Sequence, residues 1–94
     1  MIETLAQKQD FPIFADQSLI YLDNASTSQK PFSVVDGIKN IYENYNANVH
    51  RALYSLGAKS TEMFEAARVN VGNFINAYSA QEIIFTSGTT ESIN

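Results

Sequence analysis

The residues with most chemical promise in this chain are Ser87-Gly88-Thr89-Thr90, near its C-terminus. They follow the apolar run Glu82-Ile-Ile-Phe-Thr86 and precede Glu91-Ser-Ile-Asn94. The pattern predicts a strand that feeds a helix through a glycine turn. Such a turn presents free backbone N–H groups at a helix N-terminus, which suits a phosphate. Glycine allows close backbone approach, and the hydroxyls add donors. It is not a Walker loop, because the Gly-Lys-Ser/Thr ending is missing. On local pattern alone, a capped turn without a ligand is the better reading. Two further segments carry weaker signals. Asp23-Asn24-Ala25-Ser26-Thr27 is an Asx-type turn followed by small residues, which leave room for a ligand against backbone. His50-Arg51 could bind an anion or a carboxylate. Read alone, the first is a self-satisfied turn and the second a solvated pair. One histidine is not a metal site.

The elements that must position these residues follow from spacing. Ile2, Leu5 and Ala6 share one helical face, so a brief helix is expected over about 2–9, stopped by Pro12. Phe11, Ile13 and Phe14 read as anchors on a core. Leu19-Ile-Tyr-Leu22 reads as a short strand. Pro31 suits a helix start and Ser33 an N-cap. Val34, Val35, Ile38, Ile41, Tyr42 and Tyr45 then form one apolar stripe, with fraying expected near Tyr45. A second helix is expected from about Gly57 to Ala77, with the stripe Met63, Phe64, Ala67, Val71, Phe74, Ile75 and Tyr78. Glu62, Glu65 and Arg68 fall on its wet side.

Composition narrows the class. The chain has 94 residues and 45% are hydrophobic, which is too apolar for disorder. Its formal charge of −4, without a basic stripe, argues against nucleic acid as a partner. With no cysteine, these residues supply no disulfide or thiol nucleophile, which fits the cytosol. No apolar stretch approaches a membrane span, and the polar start is not a secretory signal.

Each signal is weak by itself; their order and spacing are not. Tyr21-Leu-Asp-Asn-Ala25, Gln29-Lys-Pro31, Asn46-Ala-Asn-Val-His-Arg51, Ala66-Ala-Arg68, Phe74-Ile-Asn-Ala77 and Ile83-Ile-Phe-Thr-Ser-Gly-Thr-Thr-Glu-Ser-Ile-Asn94 occur in sequence. Together they resemble the N-terminal quarter of the SUF-type (group II) cysteine desulfurases and selenocysteine lyases, in the class V aminotransferase family. The resemblance runs from about Phe11 to Asn94. It implies an α/β pyridoxal-phosphate (PLP)-dependent transferase of fold type I in the parent, a homodimer, with this part mainly α-helical and carrying one or two short strands. It also implies removal of sulfur from L-cysteine to give L-alanine and an enzyme persulfide. The sulfur would pass to a SUF-type acceptor protein for iron–sulfur cluster assembly. Selenocysteine is the related substrate.

Roles carry over residue by residue. Gly88, Thr89 and Thr90 match the loop that cups the PLP phosphate. Asn24, Ala25 and Ser26 match a loop beside the substrate, and His50 and Arg51 match the active-site mouth. No catalytic residue is implied here, because the family's Schiff-base lysine and persulfide cysteine lie beyond Asn94. Residues 1–32 correspond to an N-terminal arm and small-domain segment, 33–78 to a helical pair, and 79–94 to the start of the PLP-binding domain. Ser26, Ala52, Leu53, Tyr54 and Gly57 depart from the common pattern, which bears on substrate preference rather than on the phosphate loop. The competing expectation is a non-catalytic helical dimerisation module. Against it, Ile83, Ile84 and Phe85 would be left as an unpaired apolar strand. By itself the chain is expected to self-associate or rearrange, to be inactive, and to have no useful PLP affinity.

Overall fold

The computed structural model describes residues 6–16, 18–50 and 53–94. These form two compact units, Met1–Asn44 and Tyr45–Asn94.

In the first unit, Lys8–Asp10 and Pro12–Ala15 make two short 3-10 turns. Of the helix expected over 2–9, residues 2–5 lie outside the described residues, and the rest forms no α-helix: 6 and 7 are irregular and 8 and 9 belong to the first 3-10 turn. Pro12 starts the second turn, where its missing N–H costs nothing. Phe11 and Phe14 meet edge to face at 6.3 Å but are only half-buried, and Ile13, the third expected anchor, is exposed. Lys8 Nζ donates to the Leu19 carbonyl at 2.7 Å and ties the turns to the next segment. That segment, Leu19 to Leu22, is not a strand, since no neighbouring extended chain among the described residues pairs with it. Helix α1 spans Phe32–Asn44. Pro31 rather than Ser33 stands at its start, its carbonyl accepting from Val34 N at 3.0 Å and Val35 N at 3.1 Å. Val34, Val35, Ile38 and Ile41 form the expected stripe, and all four are exposed.

The second unit is built on helix α2, Ser55–Phe74. It starts two residues before Gly57 and ends three before Ala77. The end is a Schellman motif. Ala77 N donates to Gly72 O at 2.9 Å and Asn76 N to Asn73 O at 3.2 Å. Asn76 takes the left-handed backbone this requires, with φ 60°; asparagine tolerates that conformation better than most residues. The reversed chain then runs back along α2. A 3-10 turn at Ala80–Glu82 is capped by Ser79, whose Oγ accepts from Gln81 N at 3.1 Å. Ile83 follows in extended geometry, with φ −94° and ψ 120°.

The buried side of α2 is not the apolar stripe expected from sequence. Gly57, Ser60 and Gly72 are its buried residues. Phe74 is 90% exposed and Tyr78 is fully exposed. Ile83, at 8%, is the buried hydrophobe among the described residues, packed where Gly72 leaves room. The expected strand at 82–86 is extended but unpaired, so among the described residues no strand forms. Helix α3, Thr89–Ile93, closes the unit. No helix among the described residues is long and apolar enough to cross a membrane.

Candidate functional site

The glycine turn sits where the sequence places it, between the extended residues 83–86 and α3. Its shape comes from one carbonyl. Gly88 O accepts from Ser92 N at 3.1 Å. The Thr86 and Ser92 hydroxyls bond each other at 2.6 Å, so only the one that accepts in that bond donates to Gly88 O, over 3.3 Å from Thr86 or 3.0 Å from Ser92. In a trans peptide the N–H points opposite to the C=O. Pinning the Gly88 carbonyl inward therefore turns the Thr89 N–H outward. Among the described residues, the N–H groups of Gly88, Thr89 and Thr90 have no acceptor, and the Thr89 and Thr90 hydroxyls have no partner. This is the expected state of a helix's first turn. Gly88 is extended, with φ 161°, and a Cβ there would meet nothing within 4 Å. Its use is an open approach to the backbone, not a strained conformation.

Ser87 is committed elsewhere. Its N–H and Oγ both donate to Glu91 Oε2, at 2.7 and 2.5 Å. The Ser87 hydroxyl, followed by its N–H, holds the Glu91 carboxyl below the usual glutamate range. What remains are three backbone N–H donors and two threonine hydroxyls, which donate or accept as a ligand requires. That set fits a group with several anionic oxygens, such as a phosphate.

His50 lies in the same unit and has a left-handed backbone, φ 62°. That conformation is costly for a non-glycine residue and needs anchors. Two are present: His50 N donates to Thr61 Oγ1 at 2.8 Å, and the ring meets Phe64 edge to face at 5.6 Å. His50 Nε2 donates to Glu65 Oε1 at 2.7 Å. An ionised carboxylate only accepts, so Nε2 carries the proton. The His50 bond, then that from Arg68, holds the Glu65 carboxyl below its ordinary value. Arg51, its expected companion, lies outside the described residues. Asn24, Ala25 and Ser26 form an exposed turn in the other unit. There Ser26 N donates to Asp23 O at 3.1 Å, and Asn24 Oδ1 accepts from Gln29 N at 3.2 Å. Tyr21 OH donates to Thr27 O at 2.6 Å and closes the loop.

Sequence reasoning missed one centre. Arg68, assigned to the wet side of α2, has only 21% of its side chain exposed. Its Nε donates to Glu65 Oε2 at 2.9 Å, and Nη1 donates to the Ile83 carbonyl. The guanidinium lies 5.3 Å from the Phe64 ring centre and 5.1 Å from that of Phe85. The available signal was the row Gly57, Thr61, Phe64, Arg68 and Gly72, at spacings of three and four, in which small and polar residues flank one aromatic.

The family model described as Aminotransferase class-V matches residues 20–94. The chain belongs to the class-V aminotransferase family. A probable cysteine desulfurase of Streptomyces coelicolor is 48% identical over the whole chain, which covers 24% of that protein. A cysteine desulfurase of Synechococcus elongatus is 45% identical over 93% of the chain, which covers 14% of it. The apo structure of a cysteine desulfurase from Thermococcus onnurineus NA1 superposes with a TM-score of 0.81 at 38% identity. It aligns with 92% of this chain, and the match covers 21% of that structure. The chain thus spans about a quarter or less of these class-V relatives. Its helical architecture agrees with the mainly α-helical part expected within a fold type I enzyme, while the expected short strands are not formed among the described residues.

Proposed function

We propose that this chain is the N-terminal part of a PLP-dependent cysteine desulfurase. The full protein would convert L-cysteine to L-alanine and pass sulfur through an enzyme persulfide to an acceptor protein. In this reading it belongs to the SUF branch, serves iron–sulfur cluster assembly, and works as a cytoplasmic homodimer. Selenocysteine is its alternative substrate. The relatives named above support the reaction class.

The observation that carries the proposal is the outward donor set of Gly88, Thr89 and Thr90. These residues hold the cofactor's phosphate, and the two threonine hydroxyls add bonds to its remaining oxygens. The bound group supplies an electron sink for the chemistry at cysteine. The chain's own contribution is binding and orientation. Asn24, Ala25 and Ser26 shape the loop beside the substrate, and His50 and Arg51 line the mouth. None of these is a catalytic base or nucleophile, so the 94 residues alone are inactive. Residues 1–32, 33–78 and 79–94 serve as the arm, the helical pair and the start of the cofactor domain. The exposed stripe Val34, Val35, Ile38 and Ile41 on α1 also fits the alternative of a helical interaction module.

The full-length gene product decides between them. It should bind PLP and form alanine from cysteine with an equal amount of sulfide in the presence of a reductant. A product that takes up no PLP and leaves cysteine unchanged would sink the assignment.

A further inference from the structure

His50 combines a costly backbone with a ring that is held in place. Its φ of 62° lies in the left-handed region, where glycine or asparagine serves at lower cost. Such strain, where the surroundings hold it, clusters at functional positions. The tethers come from one face of α2, at Thr61, Phe64 and Glu65. Thr61 Oγ1 donates to the Gly57 carbonyl at 2.9 Å and accepts from His50 N at 2.8 Å, which fixes the backbone. The Phe64 ring meets the imidazole edge to face and fixes its plane. Glu65 Oε1 accepts from His50 Nε2 at 2.7 Å, while Oε2 accepts from Arg68 Nε at 2.9 Å. Arg68 thus backs the pair, because its guanidinium keeps the carboxylate from rotating away. All of these contacts fall within residues 50–68 of one unit.

We propose that Glu65 is a positioning residue for His50, holding the imidazole with its proton on Nε2 so that Nδ1 offers a lone pair to the ammonium group of the incoming amino acid. This rests on the desulfurase reading above, in which His50 lines the substrate mouth. The chemistry follows from what each group can donate or accept. A carboxylate only accepts, so the nitrogen facing it donates, and the other nitrogen of the neutral ring is then an acceptor. Among the described residues, Nδ1 has no hydrogen-bond partner. Cysteine brings two kinds of donor, an ammonium with three N–H groups and a thiol that donates weakly. A bond from a cation is the stronger, so the lone pair selects the ammonium. The carboxylate behind the ring also raises the basicity of the far nitrogen, as it does for histidines that bind metals. Without Glu65 the ring can flip or carry its proton on Nδ1, and a protonated Nδ1 opposes the group it should receive.

The test uses the full-length protein with PLP bound. His50→Asn removes the ring and keeps the left-handed backbone, which asparagine tolerates. It should raise the KM for cysteine about tenfold and leave kcat within about twofold. Alanine keeps the ammonium and lacks the thiol, so its inhibition constant should rise by a similar factor. Glu65→Ala should raise both constants about fivefold. Nitrogen NMR of histidine-labelled protein, with the His50 signals identified by their loss in His50→Asn, should show the proton on Nε2 in the wild type. In Glu65→Ala it should be shared between the two nitrogens, a change that lost stability alone does not make. A KM within about twofold of wild type in His50→Asn, a raised KM with unchanged alanine inhibition, or the same tautomer with and without Glu65 would overturn the positioning role. A wild type that leaves cysteine unchanged overturns the desulfurase reading instead, before any variant is made.

Discussion

Gly72 offers a quantitative check on how the turn's approach is packed. Glycine inside a helix is about 0.8–1 kcal/mol less favourable than alanine. A Cβ built at Gly72 would lie 3.6 Å from Ile83 Cγ1, 3.9 Å from Ala80 Cα and 4.0 Å from Ala77 Cβ. All three distances are ordinary van der Waals contacts, each worth about 0.1–0.2 kcal/mol. Both terms have the same sign. Gly72→Ala should therefore stabilise the second half of α2 by about 1 kcal/mol, which slows its amide hydrogen exchange roughly fivefold. Gly72→Val places two further methyl groups against Ile83 or the Ala80 backbone. Overpacking of that kind costs about 1–3 kcal/mol, which exceeds the helical gain. Valine should accelerate exchange at the same amides. Exchange by mass spectrometry on the full-length protein reads both variants. Faster exchange in the alanine variant would refute the packing of Ile83 against this position.

Two other predictions use different features. Asn76 holds the left-handed position that ends α2, so Asn76→Ala should cost about 1–2 kcal/mol while Asn76→Gly costs little, as judged by urea midpoints; equal effects would remove the Schellman account. Glu65 has a carboxyl held below its ordinary value near 4.5 by His50 and Arg68. A lowered folded pKa contributes stability that is present above the unfolded value and lost as pH falls through the folded one. The urea-midpoint gap between wild type and Glu65→Gln should be full at about pH 6 and shrink toward about pH 3. A gap that does not change with pH would show that the carboxylate's charge is not what the pair uses.

Much of the local structure is legible in the residues. Pro31 and the Val34-to-Ile41 stripe place α1, and Ser87-Gly88-Thr89-Thr90 places the turn before a helix. Capping and periodicity are local, so the sequence displays them directly. The failures concern non-local terms. The apolar runs at 19–22 and 82–86 look like strands, but a strand is defined by its partner, and none pairs with them among the described residues. The covered face of α2 is misread for a related reason. Phe74 and Tyr78 are large and apolar, yet the chain that folds back after Asn76 covers Gly72 and Arg68 instead. Arg68 is invisible to hydropathy, because its burial depends on two rings and a carbonyl that arrive from up to seventeen residues away in the sequence. His50 is legible as a candidate, but its tether to Glu65 is not.

The account depends on the donors of Gly88, Thr89 and Thr90 recognising a phosphate. The direct measurement is the ratio of PLP to pyridoxal affinity in the cofactor-free, full-length protein, compared with a Thr89→Ala/Thr90→Ala variant. Charge-assisted hydrogen bonds are worth about 1.5–3 kcal/mol each. The wild type should therefore prefer PLP by a wide margin, and the double variant, which removes two such bonds, should lose about a hundredfold or more of that preference with little change for pyridoxal. An undiminished preference in the double variant would contradict the account.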